Sequence, residues 1–415
     1  MIKKTLLAVA AALALAAPAA TAAPTVLTGE LAGAPYRIVV PDNWNGTLVV
    51  HAHGYRDLAD HVGEVDDRSA PAAPSAALEP ALLAQGYAIA GSAYKRNGWA
   101  VREGIEDTRA LVSHFGATIG RPARTLLWGF SLGSIVTLEL AEQTASGFDG
   151  YLAGCAVAAG TSRAWDGAAA TSVAYDAAFG WLPAWGTIGD VRNNIDFDTE
   201  VVPKMIGELF NPTNFGKFEF IRLVTGAAPS AFPPPVFPSW ILTNMFFATE
   251  ARAELERRAG GPVVQNLTHV YTLSPVDKAY LALLGVNADQ LLASMNAKRT
   301  LSAPESPRKY LERWADFNGQ IKKPVLTMHT QTDSLVPVSH ESAYAGTVAG
   351  GGRSRLLAQT FTNGIGHCNF TGPQLLSALG ALDSWVASGH KPGAGAFPAA
   401  LGFLPGFVPP AWPQQ

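Results

Sequence analysis

Cysteine is almost absent. Cys155 and Cys368 are the only two in 415 residues, so at most one disulfide is possible. Charge is sparse and nearly balanced, with 30 Lys and Arg against 33 Asp and Glu and a formal net charge of −3. No Lys/Arg run or basic face is present, and nucleic acid is not an expected partner. No grouping of His, Cys and Asp has metal-ligand spacing, so neither a metal nor an organic cofactor is expected. No internal repeat is evident. Long apolar runs are missing too: Thr5 to Ala16 falls short of the about 20 residues a membrane span needs, and no later stretch qualifies.

That short run fits an export signal instead. Lys3 and Lys4 precede it, and Ala20-Thr21-Ala22 supplies small residues for cleavage after Ala22. Residues 1–22 are expected to be removed; losing two lysines takes the net charge from −3 to −5. The mature chain is then expected to be secreted or periplasmic, in a compartment that permits the one disulfide. With 48% hydrophobic residues it is long enough for one large α/β domain and an insertion, or for two domains.

Thr125-Leu126-Leu127-Trp128-Gly129-Phe130-Ser131-Leu132-Gly133-Ser134 organises the chain. A short apolar run ends at Gly129, and Ile135, Val136, Leu138, Leu140 and Ala141 continue at helical spacing after Gly133. The pattern predicts a strand, a sharp turn and a helix, with Ser131 at the apex. Such a turn strains the serine backbone and demands very small residues two before and two after. Gly129 and Gly133 meet that demand.

Upstream, Tyr36–Pro41 and Thr47–Ala52 read as strands, the second running into His53-Gly54-Tyr55. A bend there can turn an amide N–H toward a substrate oxygen. Leu132, after the serine, and Tyr55 are the candidate backbone donors of an oxyanion hole. Asp57 to Ala73 reads as an exposed loop, Leu78 to Gln85 as a helix, Tyr87 to Ser92 as a buried strand and Gly104 to Phe115 as an amphipathic helix. Tyr151 to Val157 gives another strand. Strands alternating with helices predict a mostly parallel sheet.

The alternation stops between about Gly160 and Gln320, a region rich in aromatics and proline. Ala231 to Pro238 reads as an extended loop. Thr249 to Arg258 and Asp289 to Lys298 read as helices opening on good capping residues. The sheet resumes at Lys323 to His329, Ser354 to Phe361 gives a last strand and Pro373 to Ala387 a closing helix. The tail from Lys391 is Gly/Pro-rich, and its sequence leaves open whether it wraps the surface.

A serine hydroxyl needs a base, and the base needs an orienting group. Of nine histidines, His367 lies in the flexible loop Asn363-Gly364-Ile365-Gly366-His367-Cys368-Asn369 directly after the last strand. His51, His114, His329 and His340 fall in or beside regular elements, and His53 suits the oxyanion loop. Asp333 follows the strand ending at His329 and is the candidate acid, with Asp166 in reserve.

The order Ser131, Asp333, His367, with His53-Gly54 and the glycine-flanked serine, resembles that of the α/β-hydrolase superfamily, specifically a secreted serine esterase with a large cap. The resemblance covers about 24–160 and 320–390. It implies an α/β fold with a mostly parallel sheet flanked by helices and a mainly helical cap. The division is then 23–160 and 321–390 as core, 161–320 as cap and 391–415 as tail. It also implies cleavage of small or polymeric carboxylic esters through an acyl-enzyme. A peptidase of the same fold and a polyester- or lipid-specific hydrolase are the alternatives. Tannase and feruloyl esterase relatives join cysteines beside serine and histidine by a disulfide. His367-Cys368 resembles half of that arrangement, Phe130 stands before Ser131, and Cys155 is the partner the resemblance leaves for Cys368.

Overall fold

The computed structural model describes residues 23–144, 146–228 and 240–412. The export segment and the proline-rich stretch Ala231 to Pro238 lie outside them. In chain order the elements are β1 Thr25–Leu31, β2 Ala34–Val40, β3 Thr47–Ala52, α1 Glu79–Ala84, β4 Ala88–Ser92, α2 Val101–Thr118, β5 Arg124–Phe130, α3 Leu132–Glu142 and β6 Gly150–Gly154. A helical segment follows: α4 Thr161–Phe179, α5 Val202–Leu209, α6 Phe215–Thr225, α7 Trp240–Ala248, α8 Glu250–Ala259, α9 Pro275–Leu283, α10 Ala288–Ala297 and α11 Glu305–Arg313. The chain then returns to the sheet through β7 Val325–Thr332, α12 Ser339–Gly350, β8 Leu357–Ile365 and α13 Gly372–Ser388.

The eight strands form one sheet in the order β1-β2-β4-β3-β5-β6-β7-β8. From β4 through β8 every pairing is parallel; β2 runs antiparallel to both neighbours. Parallel strands are covered on both faces, which is why β3, β4 and β6 are buried at every position. One face packs against α2, α3, α12 and the helical segment; the other packs against α1, α13 and the tail.

Several boundaries differ from the sequence reading. The sheet begins one strand earlier, with β1, whose side chains are almost all exposed and therefore carry no apolar alternation. Ala32 and Gly33, both at positive φ, turn it into β2. β6 stops at Gly154 rather than Val157 because Cys155 turns to φ 42°. The loop read as wholly exposed is pinned at its end: Ala72 and Ala73 are buried, and His51 Nδ1 lies 3.0 Å from the Pro71 carbonyl. Thr249 does not cap α8, since its hydroxyl donates to Met245 O. Asn287, not Asp289, caps α10 by accepting from Gln290 N–H. The last strand starts at Leu357, after a short 3₁₀ turn. The tail does wrap the surface: Phe397 and Phe403 are buried on the α13 side, and Trp412 reaches His340.

Candidate active site

The turn between β5 and α3 is as tight as its glycines require. Ser131 sits at φ 55°, ψ −123°, a conformation that costs an L-residue energy and that the surroundings must impose. A Cβ on Gly129 would lie 2.1 Å from Gly133 O, and one on Gly133 would lie 2.0 Å from Ala52 O. Neither position has room for any side chain. Ser134 closes the turn from inside the helix, its hydroxyl donating to Ser131 O at 2.5 Å and accepting from Val157 N–H.

Three loops at the C-terminal ends of β5, β7 and β8 meet here. His367 Nε2 lies 2.8 Å from Ser131 Oγ, and His367 Nδ1 lies 2.7 Å from Asp333 Oδ2. Asp333 is buried, and its other oxygen accepts from Leu335 N–H and Val336 N–H. Burial alone would raise its carboxyl; the neighbouring His367 and His329 and the amide of Val336 outweigh this and hold it below the ordinary carboxylate range. A carboxylate can only accept, so Nδ1 carries the imidazole proton and the bare Nε2 faces the Ser131 hydroxyl as an acceptor. The other acid candidate, Asp166, lies in α4 with both oxygens taken by Arg308.

Cys155 and Cys368 form the disulfide, with Cα atoms 5.1 Å apart across 213 residues of sequence. It ties the residue after His367 to the end of β6, the strand next to Ser131's own. Cys368 itself sits at φ 55°. The covalent tie holds the loop that carries His367.

Gly54 packs against the elbow: a Cβ there would lie 3.5 Å from that of Ser131. The Gly54 carbonyl accepts from His53 Nδ1–H at 2.7 Å. In a planar trans peptide the N–H points opposite the carbonyl, so this bond sets the direction of the Tyr55 N–H. His53 is stacked on Tyr94 at 3.9 Å, and burial lowers its pKa to about 4, keeping it neutral. Leu132 supplies the first N–H of α3, in the turn where amides have no intrahelical acceptor.

Ser131, Leu132 and Tyr55 open into a cleft of about 730 Å³ between the sheet and the helical segment. Trp99, Trp165, Phe247 and Tyr55 form one connected aromatic wall, with ring centroids 4.8, 6.2 and 5.2 Å apart in turn. His340 and Trp412 line it as well. Ala159 N–H donates to His340 Nδ1, and burial lowers this ring's pKa to about 3, so His340 is neutral with its proton on Nε2. Sequence reasoning places His340 at a helix start and gives Trp412 no role, because nothing local marks a tail residue as a cleft wall.

Away from the cleft, Asp57, Glu64 and Glu250, and likewise Asp60, His61 and Glu250, bring possible ligand atoms within 4.8 Å of one another. Spacing along the chain could not show this, since Glu250 comes from α8. Among the described residues no helix is long and apolar enough to cross a membrane.

No protein-family profile matches the chain. An o-phthalyl amidase of Xanthobacter agilis is 23% identical over 417 residues, covering 87% of this chain and 86% of the relative. Similar solved structures include an esterase of Pyrococcus furiosus (12% identity, 88% of each chain, TM-score 0.40). A Vigna radiata epoxide hydrolase is 12% identical over 88% of this chain and 98% of its own, TM-score 0.41. Feruloyl esterase B of Aspergillus oryzae is 14% identical over 89% and 80%, TM-score 0.36. The strand order, the single antiparallel pairing partner β2 before a parallel run, and the serine turn between β5 and α3 make the chain an α/β-hydrolase in fold.

Proposed function

We propose that the protein is a secreted or periplasmic serine hydrolase that cleaves carboxylic esters through an acyl-enzyme. The observation that carries this reading is the unbroken run of hydrogen bonds from Asp333 through His367 to Ser131 Oγ. His367 Nε2 takes the hydroxyl proton as Ser131 attacks the substrate carbonyl, and Asp333 steadies the imidazolium that forms. The amides of Leu132 and Tyr55 receive the oxyanion, each worth about 3–4 kcal/mol of barrier. His367 then protonates the departing alcohol, and water repeats the cycle on the acyl-serine. Residues 161–320 serve as the cap over this chemistry. The disulfide supports an oxidising compartment for the mature chain.

Amide hydrolysis is the second reading, favoured by the o-phthalyl amidase likeness over most of both chains. The same residues would serve, with His367 delivering its proton to nitrogen. Hydrolysis of p-nitrophenyl esters from acetate to palmitate, beside p-nitroanilides of the same acids, tests both. Ester turnover is expected to exceed anilide turnover and to fall about 10⁴–10⁶-fold in Ser131→Ala. Normal turnover in that variant would overturn the mechanism, and anilide turnover above ester turnover would favour the amidase.

A further inference from the structure

The backbone that carries the Tyr55 N–H is held from both sides. Upstream, the bond from His53 to Gly54 O lies within the sheet domain. Downstream, two hydrogen bonds come from the loop between β4 and α2. Gly98 N–H donates to Arg56 O at 2.8 Å in an isolated antiparallel bridge, and the Asn97 side-chain amide donates to Asp57 O at 3.1 Å. That loop is in turn gripped by α8. Glu254 accepts from Trp99 N–H at 2.9 Å, and Arg258 donates to Asn97 O at 2.8 Å. Gly98 lets one short loop serve both neighbours. At φ 75° it directs its own N–H to Arg56 and the next one to Glu254, and a Cβ there would lie 2.5 Å from the Glu254 carboxyl. Asn97 and Glu254 are buried and the Arg258 side chain is only 5% exposed, so water competes little for these bonds.

These contacts do more than pin the helical segment to the sheet domain. The ion pair of Arg258 with Glu103 already joins α8 to α2 without involving the loop. The Asn97 and Gly98 bonds end instead on the two residues that follow Tyr55, and the Tyr55 ring packs on Phe246 and Phe247 of α7. The direction of a donor N–H follows from the φ and ψ of its neighbours, and a displacement of about 1 Å in a catalytic site can cost about 10²-fold in rate. We infer that Asn97 and Gly98, held by Arg258 and Glu254 of α8, are positioning residues for the Tyr55 N–H, so that the helical segment bordering the cleft also sets the oxyanion hole. The inference rests on the hydrolase reading above and adds to it a support for one of its two oxyanion donors.

Asn97→Ala tests the link nearest the donor. In p-nitrophenyl ester hydrolysis kcat is expected to fall about tenfold with KM within about twofold, short of the about 10²–10³-fold that losing a donor outright costs. Asn97→Asp, of the same size but with no N–H to give, should lose at least as much, and it serves where the alanine variant does not fold. A trifluoromethyl ketone, which adds to Ser131 as a tetrahedral oxyanion, should bind more weakly by the factor that kcat/KM falls. An ether analogue of the substrate, which has no carbonyl oxygen, should bind as before. Arg258→Lys keeps the charge but loses the fork, and should lower kcat by a smaller factor. Arg96→Gln, an exposed neighbour in the same loop, keeps the wild-type values. A kcat within about twofold of wild type in both Asn97 variants, or a loss carried by KM and shared by the ether, would overturn the inference. An inactive Ser131→Ala would in that case leave the hydrolase reading standing. Normal turnover in Ser131→Ala would instead remove that reading, and the inference with it.

Discussion

The sheet domain and the helical segment bury carboxylates in different ways. In the helical segment several come with arginines, though the buried Glu250 instead accepts from Phe197 N–H. Arg258, nearly buried, bridges Glu254 of its own helix and Glu103 of α2, and also donates to Asn97 O; Arg252 and Glu256 are both buried together. Glu254 additionally accepts from Trp99 N–H, so this network anchors α8 and the aromatic wall to the sheet side. In the sheet domain the buried Glu341 has only the neutral donors Thr327 and Gln359, and Glu142 has the amides of Asn318 and Gly319. Asp333 is set against His367, while Asp107 and Glu103 of α2 lie beside Lys95 and Arg258. A paired buried charge holds elements in place at the risk of a large loss when one partner goes. An unpaired one is kept neutral by burial and titrates.

The largest effect is expected where carboxylate and base are coupled for chemistry. In Asp333→Asn the amide oxygen must take the place facing Leu335 N–H and Val336 N–H, which donate to Asp333 Oδ1. The NH₂ then faces His367 Nδ1 and forces the proton onto Nε2, the wrong tautomer for accepting from Ser131. Ester kcat should drop about 10⁴-fold with the urea midpoint little changed. A loss under tenfold would mean that Asp333 does not orient the base. Next comes the network of the helical segment. Arg258→Ala leaves Glu254 and Glu103 uncompensated and is expected to cost about 3–5 kcal/mol in urea unfolding. Arg258→Lys should recover only part, because an ammonium lacks the fork that reaches both partners. A cost under about 1 kcal/mol would show the network to be as weak as surface pairs.

The same contrast explains what the sequence reveals. Parallel strands are apolar runs with helices between them, so β3, β4, β5 and β7 can be read directly; β1, exposed along most of its length, cannot. The serine turn is legible because its constraint is local: two glycines within two residues of Ser131. His367 and Asp333 are legible because each directly follows a strand that ends on the same edge of the sheet. The cleft wall is not. Arg163, His340 and Trp412 come from three distant segments, and their meeting depends on how the helical segment and the tail pack. Thr249 shows the limit of local rules: its residue type suits a cap, yet its hydroxyl turns back to Met245 O.

The smallest expected effect, and the sharpest probe of the unpaired side of the contrast, is at Glu341. Burial raises its pKa from 4.5 to about 7, against the hydrogen bonds from Thr327 and Gln359 that favour the charged form. The folded state therefore binds a proton that the unfolded state has released between pH 4.5 and about 7. Stability from this group is fully present below pH 4.5 and is lost as pH rises through that window. Glu341→Gln keeps an acceptor for Thr327 but cannot ionise. Relative to the wild type its urea midpoint should rise between pH 5 and pH 8, by the equivalent of roughly 2–3 kcal/mol. Glu142, also raised to about 7 by burial, is present in both proteins and leaves a common slope. A difference between the two proteins that stayed constant from pH 5 to pH 8 would mean that Glu341 is charged in the folded state throughout, a buried carboxylate held by the neutral donors Thr327 and Gln359 alone.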